Sequence, residues 1–302
     1  MSSSRKSRIA SSMSNVMFTN AVYFPNYRIY QGDTPGMLNY SCINHVYYAY
    51  ASVSADGGVF LSDEWADAGA PVDGVQGGLG SLMHLKQKHP HLRVVLSIGG
   101  GNSSEIFPLV ASSTLLRDNF ARSAKGLVEA SGLDGIDIAW EYPCDVQQGY
   151  DFLALLAAVR IHLPEEHYVL TAALPAAKSI LQFLDLMEIA EYLDFINLMA
   201  YDFFGAGHKY KGVGGAEDGT FEYNQLPRKG CKEVVDKRHV AAHCTGADGG
   251  FVTYDNPDTV KIKAGFCKQK GLGGLFYWNG PADSKDKSRS LVAAGFRALH
   301  SS

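Results

Sequence analysis

Three carboxylates fall within the ten residues Asp134-Gly135-Ile136-Asp137-Ile138-Ala139-Trp140-Glu141-Tyr142-Pro143, a run otherwise rich in apolar and aromatic side chains. Read as a strand, it alternates faces. Asp137, Ala139 and Glu141 share one side, and Ile136, Ile138, Trp140 and Tyr142 share the other. At ~3.4 Å per residue, Asp137 and Glu141 stand about 13 to 14 Å apart, too far to touch. A carboxylate at position 139 would bridge them. It would repel a neighbouring charge and help hold the terminal Glu protonated, as a general acid at neutral pH requires. Ala139 can do neither. Asp134 lies on the opposite face from Glu141 at the start of the run, which favours a structural role. Spacing alone leaves Glu141 equally open to being one member of a buried ion pair.

A strand of this kind needs a scaffold. Short β-rich apolar runs, Ala21–Pro25, Ile43–Ser52, Arg93–Gly100, Gly135–Tyr142, Tyr168–Pro175, Phe195–Phe203 and Gly274–Asn279, alternate with stretches of helical spacing or composition. The helical stretches are Gly78–His89, Leu115–Ser131, Tyr150–His162, Ile180–Leu193 and Pro257–Lys270. This is the order of a parallel sheet with crossover helices. Several strands are apolar on both faces, as when helices cover the outside and packed side chains fill the inside. The fold expected is α/β, a TIM-type (β/α)8 barrel, and 302 residues suit one such domain, residues 17–302.

Composition excludes several partners. A net charge of −4 with no sizeable Lys/Arg cluster in the body of the chain argues against nucleic acid, and no apolar run reaches membrane-spanning length. Residues 1–16 are Ser-rich and basic (Arg5, Lys6, Arg8) without an apolar core behind them. They read as a disordered tail, not a secretory signal, so a cytoplasmic or non-classically exported protein is expected. Five cysteines, Cys42, Cys144, Cys231, Cys244 and Cys267, lack paired spacing and read as idle thiols. His239, His243, Cys231 and Cys244 lack the short paired spacings of a zinc site.

The Asp134–Glu141 run resembles the signature strand of glycoside hydrolase family 18, the chitinases, whose pattern is Asp-x-x-Asp-x-Asp-x-Glu. Asp134, Asp137 and Glu141 match, and Ala139 takes the place of the third Asp. The resemblance spans nearly the whole body from Ala21 onward. Ser97-Ile98-Gly99-Gly100 is similar to the family's Ser-x-Gly-Gly at the end of the third strand. Asn197-Leu198-Met199-Ala200-Tyr201-Asp202 is similar to its sixth-strand motif, and Phe276-Tyr277-Trp278 to its eighth strand. Tyr23 corresponds to a family tyrosine near the bottom of the pocket. Between the sixth and eighth strands, no apolar run resembles the family's seventh strand. A remnant of a small α+β insertion, residues 212–255, follows instead. The barrel is therefore expected to be incomplete, with Val234–Ala242 or Phe251–Tyr254 as candidate substitutes.

The resemblance implies substrate-assisted hydrolysis of β-1,4-linked N-acetylglucosamine, with no metal or other cofactor. Glu141 would protonate the leaving oxygen, the substrate's acetamido carbonyl would attack, and Tyr201 would donate to that carbonyl. Asp137 would complete the carboxylate relay. Tyr23, Tyr27, Gly100, Trp140, Met199, Asp202 and Trp278 would line the sugar site, with Trp278 as its floor. Trp140 has a second reading as core, since its parity turns it toward the helices. Without the third Asp, the expected function is binding of chitin fragments with little or no hydrolysis. An active but weak chitinase is the alternative, and a degenerate chain that folds poorly is a third.

Overall fold

The computed structural model describes residues 17–202, 220–246 and 250–301. The serine-rich tail, part of the insertion and the predicted end of the sixth strand at Phe203 lie outside these residues.

Seven parallel strands form the wall of a barrel: Thr19–Pro25, His45–Val53, Arg93–Gly99, Gly135–Ala139, Val169–Pro175, Phe195–Met199 and Gly274–Tyr277. The last strand pairs with the first, and the first six then follow in chain order. The sixth and the last do not pair with each other, so one seam in the wall is unsealed among the described residues. A short strand, Val59–Leu61, folds back antiparallel on the second.

Strand parity sorts the side chains into two cores. Outward residues such as Val22, Phe24, Val46, Tyr48, Leu96, Ile98, Ile136, Ile138 and Leu170 meet the helices in one large apolar cluster. Inward residues Ala21, Tyr23, Tyr47, Ala49 and Val95 form a much smaller one. The remaining interior is polar, built from buried Ser97, Asp137, Thr171 and Asn197. Since buried polar groups need partners, this layer is where the fold commits itself to a site.

The lower rim is held by a repeated device. Asn44, Asp134 and Asp194 each stand one residue before an even-numbered strand. Each accepts a backbone N–H from the strand before it: Asn20 at 2.9 Å, Val94 at 2.8 Å and Leu170 at 2.8 Å. Lys86 and Arg93 pair with Asp134, and Arg160 pairs with Asp194. The structural role of Asp134 thus follows from geometry.

The helices Gly78–Lys88, Thr114–Ser131, Val146–His162 and Pro257–Lys270 lie where the apolar spacing puts them. Local chemistry sets their ends: Asn256 forms a capping box with Thr259, Asp145 caps at Gln148, and Gly132 and Gly271 close in the left-handed region. The predicted helix over 180–193 is two, Lys178–Leu181 and Leu186–Tyr192, because Asp185 accepts from Met187 and Glu188 and starts a new one. A C-terminal helix, Leu291–His300, was not anticipated.

Neither candidate substitute enters the barrel wall. Glu233–Asp236, Ala241–Thr245 and Phe251–Tyr254 pair antiparallel with one another as a separate three-stranded sheet, with Ala241–Thr245 in the centre. Polar and ionic contacts hold this sheet and the residues before it. Glu233 accepts from Arg289, Tyr254 and Asn256, each at 2.9 Å, and Arg28 pairs with both Glu222 and Asp33. All five cysteines are free thiols. No described helix is long and apolar enough to cross a membrane.

Candidate active site

The fourth strand ends at Ala139, three residues before the Tyr142 that the sequence run suggests, and this sorts the carboxylates by environment. Asp137 is fully buried in the polar layer. Tyr23 Oη and Ser97 Oγ donate to its Oδ2 at 2.9 and 2.7 Å, and Thr171 Oγ1 and Asn197 Nδ2 donate to its Oδ1 at 2.6 and 3.3 Å. Burial raises its carboxyl above the ordinary range, and the four donors pull the other way. Asn197 also donates to Tyr23 at 3.0 Å, so Tyr23 is held as a donor to Asp137. The methyl of Ala139 comes next, buried, with nothing to offer in either direction.

Glu141 sits at the mouth. Its backbone N–H donates to Ser104 Oγ at 2.8 Å, which fixes the turn after the strand. Its carboxylate lies over Gly101, where an added Cβ would come within 3.9 Å of Oε2. Burial raises this carboxyl above the usual range, with no cation opposing among the described residues. A half-buried acid that lacks an ion-pair partner among the described residues is suited to proton donation.

Aromatic side chains build the rest. Trp278 is 40% exposed. It lies 5.8 Å from the Tyr50 ring, nearly parallel, and 5.5 Å from Tyr23. Tyr201 meets Phe276 edge-on at 6.0 Å across the seam. Its phenol is pushed up by burial and by the charges of Asp202, Glu141, Tyr142 and Asp137, which places it in their company. The sixth strand stops at Met199, before both Tyr201 and Asp202. Asp202 then takes a left-handed φ of 52° and stays exposed. Met199 stands beside Pro175 at the end of the fifth strand. Tyr27 is 46% exposed on the turn after the first strand, close enough to Arg28 and Glu222 to feel both charges. Gly100 has φ 76°, and a Cβ there would fall 2.7 Å from the Tyr50 ring, so only glycine fits.

Trp140 is a correction to the predicted sugar site. It is 2% exposed, stacked on Phe107 at 5.6 Å and edge-on to Phe152 at 6.0 Å, in the layer between sheet and helices. Its outward parity decides this, and no sugar can reach it there.

Sequence reasoning missed the partners of Asp137. Thr171 and Asn197 are inward-facing polar residues in otherwise apolar strands, and that break in the pattern was the available signal. It also missed Tyr50, which a regular strand would have turned outward. Among the described residues, no group of three or more His, Cys, Asp or Glu could hold a metal ion.

A family profile described as glycosyl hydrolases family 18 matches residues 19–216 and 206–283. Chitinase 1 of Aphanocladium album is 32% identical, over 94% of this chain and 86% of that protein. Endochitinase 1 of Metarhizium robertsii is 31% identical, over 93% and 85%. These alignments run over 366 and 364 positions, longer than the chain's own 302 residues, so both relatives carry residues that this chain lacks. In architecture the chain is similar to chitinase ChiA74 from Bacillus thuringiensis, with a TM-score of 0.82, 20% identity and coverage of 94% of this chain and 70% of that one. A class V chitinase mutant from Nicotiana tobaccum in complex with NAG4 gives 0.79 at 20% identity, over 94% and 99%. At such identities these structures speak to the fold alone.

Proposed function

From the premise that this chain belongs to glycosyl hydrolases family 18, we propose that it binds chitin fragments, oligomers of β-1,4-linked N-acetylglucosamine, and hydrolyses them very slowly. The observation that carries this reading is the inward column Asp137, Ala139, Glu141. Its lower carboxylate is tied up by four donors, its acid at the mouth has no ion-pair partner among the described residues, and a methyl stands between them.

In this reading the sugar lies on Trp278, and Tyr201 donates to the acetamido oxygen. Asp202 holds a hydroxyl at the rim, and Tyr27 extends the aromatic surface outward. Glu141 has the environment of a general acid. The group that would orient the acetamido nitrogen and balance charge in a substrate-assisted displacement is absent at position 139. A group of that kind acts mainly in the transition state, so its loss lowers kcat more than it weakens binding. Loss of one such preorganised group costs about 2.7–4 kcal/mol, or roughly a hundred- to a thousandfold in rate.

Titration calorimetry tests the binding half. Chito-oligosaccharides are expected to bind, cello-oligosaccharides, which lack the acetamido group, to give no heat, and Trp278→Ala to abolish the signal. Equal heats for both sugars, or an unchanged affinity in Trp278→Ala, would remove the basis for the reading.

A further inference from the structure

The second strand carries a bulge at Tyr50. Ala49 stands opposite Ser97 and Ala51 opposite Ile98, so Tyr50 is the extra residue between two partners that are themselves consecutive. Parity along a regular strand would send Tyr50 outward with Tyr48. The bulge re-aims it inward, where it packs on the interior cluster of Tyr23, Tyr47 and Ala49. Its ring leans across the end of the third strand, made possible by Gly100, and stacks on Trp278. Gly100 N–H in turn donates to Ala139 O at 2.9 Å, and the next residue, Gly101, lies under the Glu141 carboxylate. The Tyr50 ring therefore spans from the floor tryptophan toward the end of the fourth strand, where Ala139 leaves only a methyl.

The hydroxyls of the interior tyrosines differ in one respect. Tyr23 donates to Asp137, and Tyr47 reaches Asn197. The Tyr50 hydroxyl has no hydrogen-bond partner among the described residues. Burial, followed by the charges of Glu141, Asp137, Tyr201 and Tyr27, pushes its phenol up, so it stays neutral. A neutral phenol can accept one hydrogen bond as well as donate one.

Resting on the sugar-binding reading above, we infer that Tyr50 is a specificity residue, whose hydroxyl accepts the acetamido N–H of a bound N-acetylglucosamine in the place left open by Ala139. The assignment adds a sugar contact in this chain and gives the bulge a purpose. It also explains how the acetamido group is recognised when no carboxylate stands at position 139. A hydroxyl carries no charge to balance the developing cation, so it supports binding and does not restore turnover.

A double-mutant cycle on the full chain tests this, with tri-N-acetylchitotriose as the probe. Tyr50→Phe keeps the ring and removes only the hydroxyl, and thermal unfolding checks that the variant is folded. The expected result is about a tenfold loss of affinity in the wild-type background. In the Ala139→Asp background the loss should shrink to less than about twofold, because the new carboxylate takes the N–H. Unchanged affinity in Tyr50→Phe would overturn the assignment while leaving the sugar site standing. An equal loss in both backgrounds would do the same, since the hydroxyl would then act elsewhere. Absence of binding by the folded wild-type chain would overturn the sugar-binding reading, and this inference with it.

Discussion

At the residue scale, the chemistry of this site turns on what surrounds each carboxylate more than on how many there are. Asp137 and Glu141 differ in that four donors surround the first and, among the described residues, none faces the second. Restoring the carboxylate between them tests whether one methyl group silences the site. Ala139→Asp is expected to raise release of product from a fluorogenic chitobioside by roughly a hundredfold or more over a near-background wild type. Adding Glu141→Gln should abolish the gain, because an amide cannot serve as the proton donor. The sign of the pH dependence follows from Glu141. Its proton must be present, and burial raises its pKa, so the rescued rate should persist above the ordinary carboxylate range and fall as pH rises through that raised value. Wild-type activity already equal to that of Ala139→Asp would overturn the silenced-site reading. Rescue that survives Glu141→Gln would show that another group supplies the proton.

At the element scale, the strands were legible because each is a short apolar run between breakers, and their order follows from alternation with helices. Their C-terminal ends were less legible, because the chain leaves the strand at Ala139 and Met199 while the sequence stays apolar or aromatic beyond. The final helix carried a readable signal in the Ser290 cap before Leu291 and Val292. Tyr50 could not be read from parity, since a bulge shifts the period by one residue and leaves no mark in composition. Trp140 shows parity working, because its outward face put it in the core. The lower rim yields a pH prediction. His45 Nδ1 donates to Asn44 Oδ1 at 3.0 Å, and the ring meets Phe195 edge-on and lies near Arg93 and Asp134. Burial and the Arg93 charge push its pKa down to about 4 from 6.5, against the pull of Asp134. The unfolded chain therefore takes up a proton near pH 6.5 that the folded chain refuses until about pH 4. Stability is full above the unfolded value and falls as pH drops through this window, by at most on the order of 3 kcal/mol. Denaturant titrations at pH 7 and 4.5 should show a smaller loss for His45→Gln than for wild type. Equal losses would mean that His45 titrates normally in the fold.

At the scale of the whole molecule, the barrel is defined by its seam. Closure removes sheet edges, and here the sixth and last strands leave two edges unpaired among the described residues. The bottom is narrowed by packing, since a Cβ on Gly273 would fall 3.0 Å from the Phe195 ring, and Tyr201 and Phe276 meet higher up. The outer side is less well covered. Leu198 on the sixth strand is 44% exposed, and Met187 before it and Phe266 and Leu272 before the last strand are more so. A strand edge beside apolar surface is a template for pairing with another chain, so association should rise with concentration. Light scattering after size exclusion should show this, together with binding of an apolar fluorescent dye. Leu198→Lys places a charge at the edge, the device by which sheet proteins resist such pairing. Because Leu198 is already half in solvent, its replacement should change the stability by about 0.5 kcal/mol or less while clearly reducing association. A wild-type chain that stays monomeric and dye-free at every concentration would show that the seam is covered. Association unchanged by Leu198→Lys would place the sticky surface elsewhere.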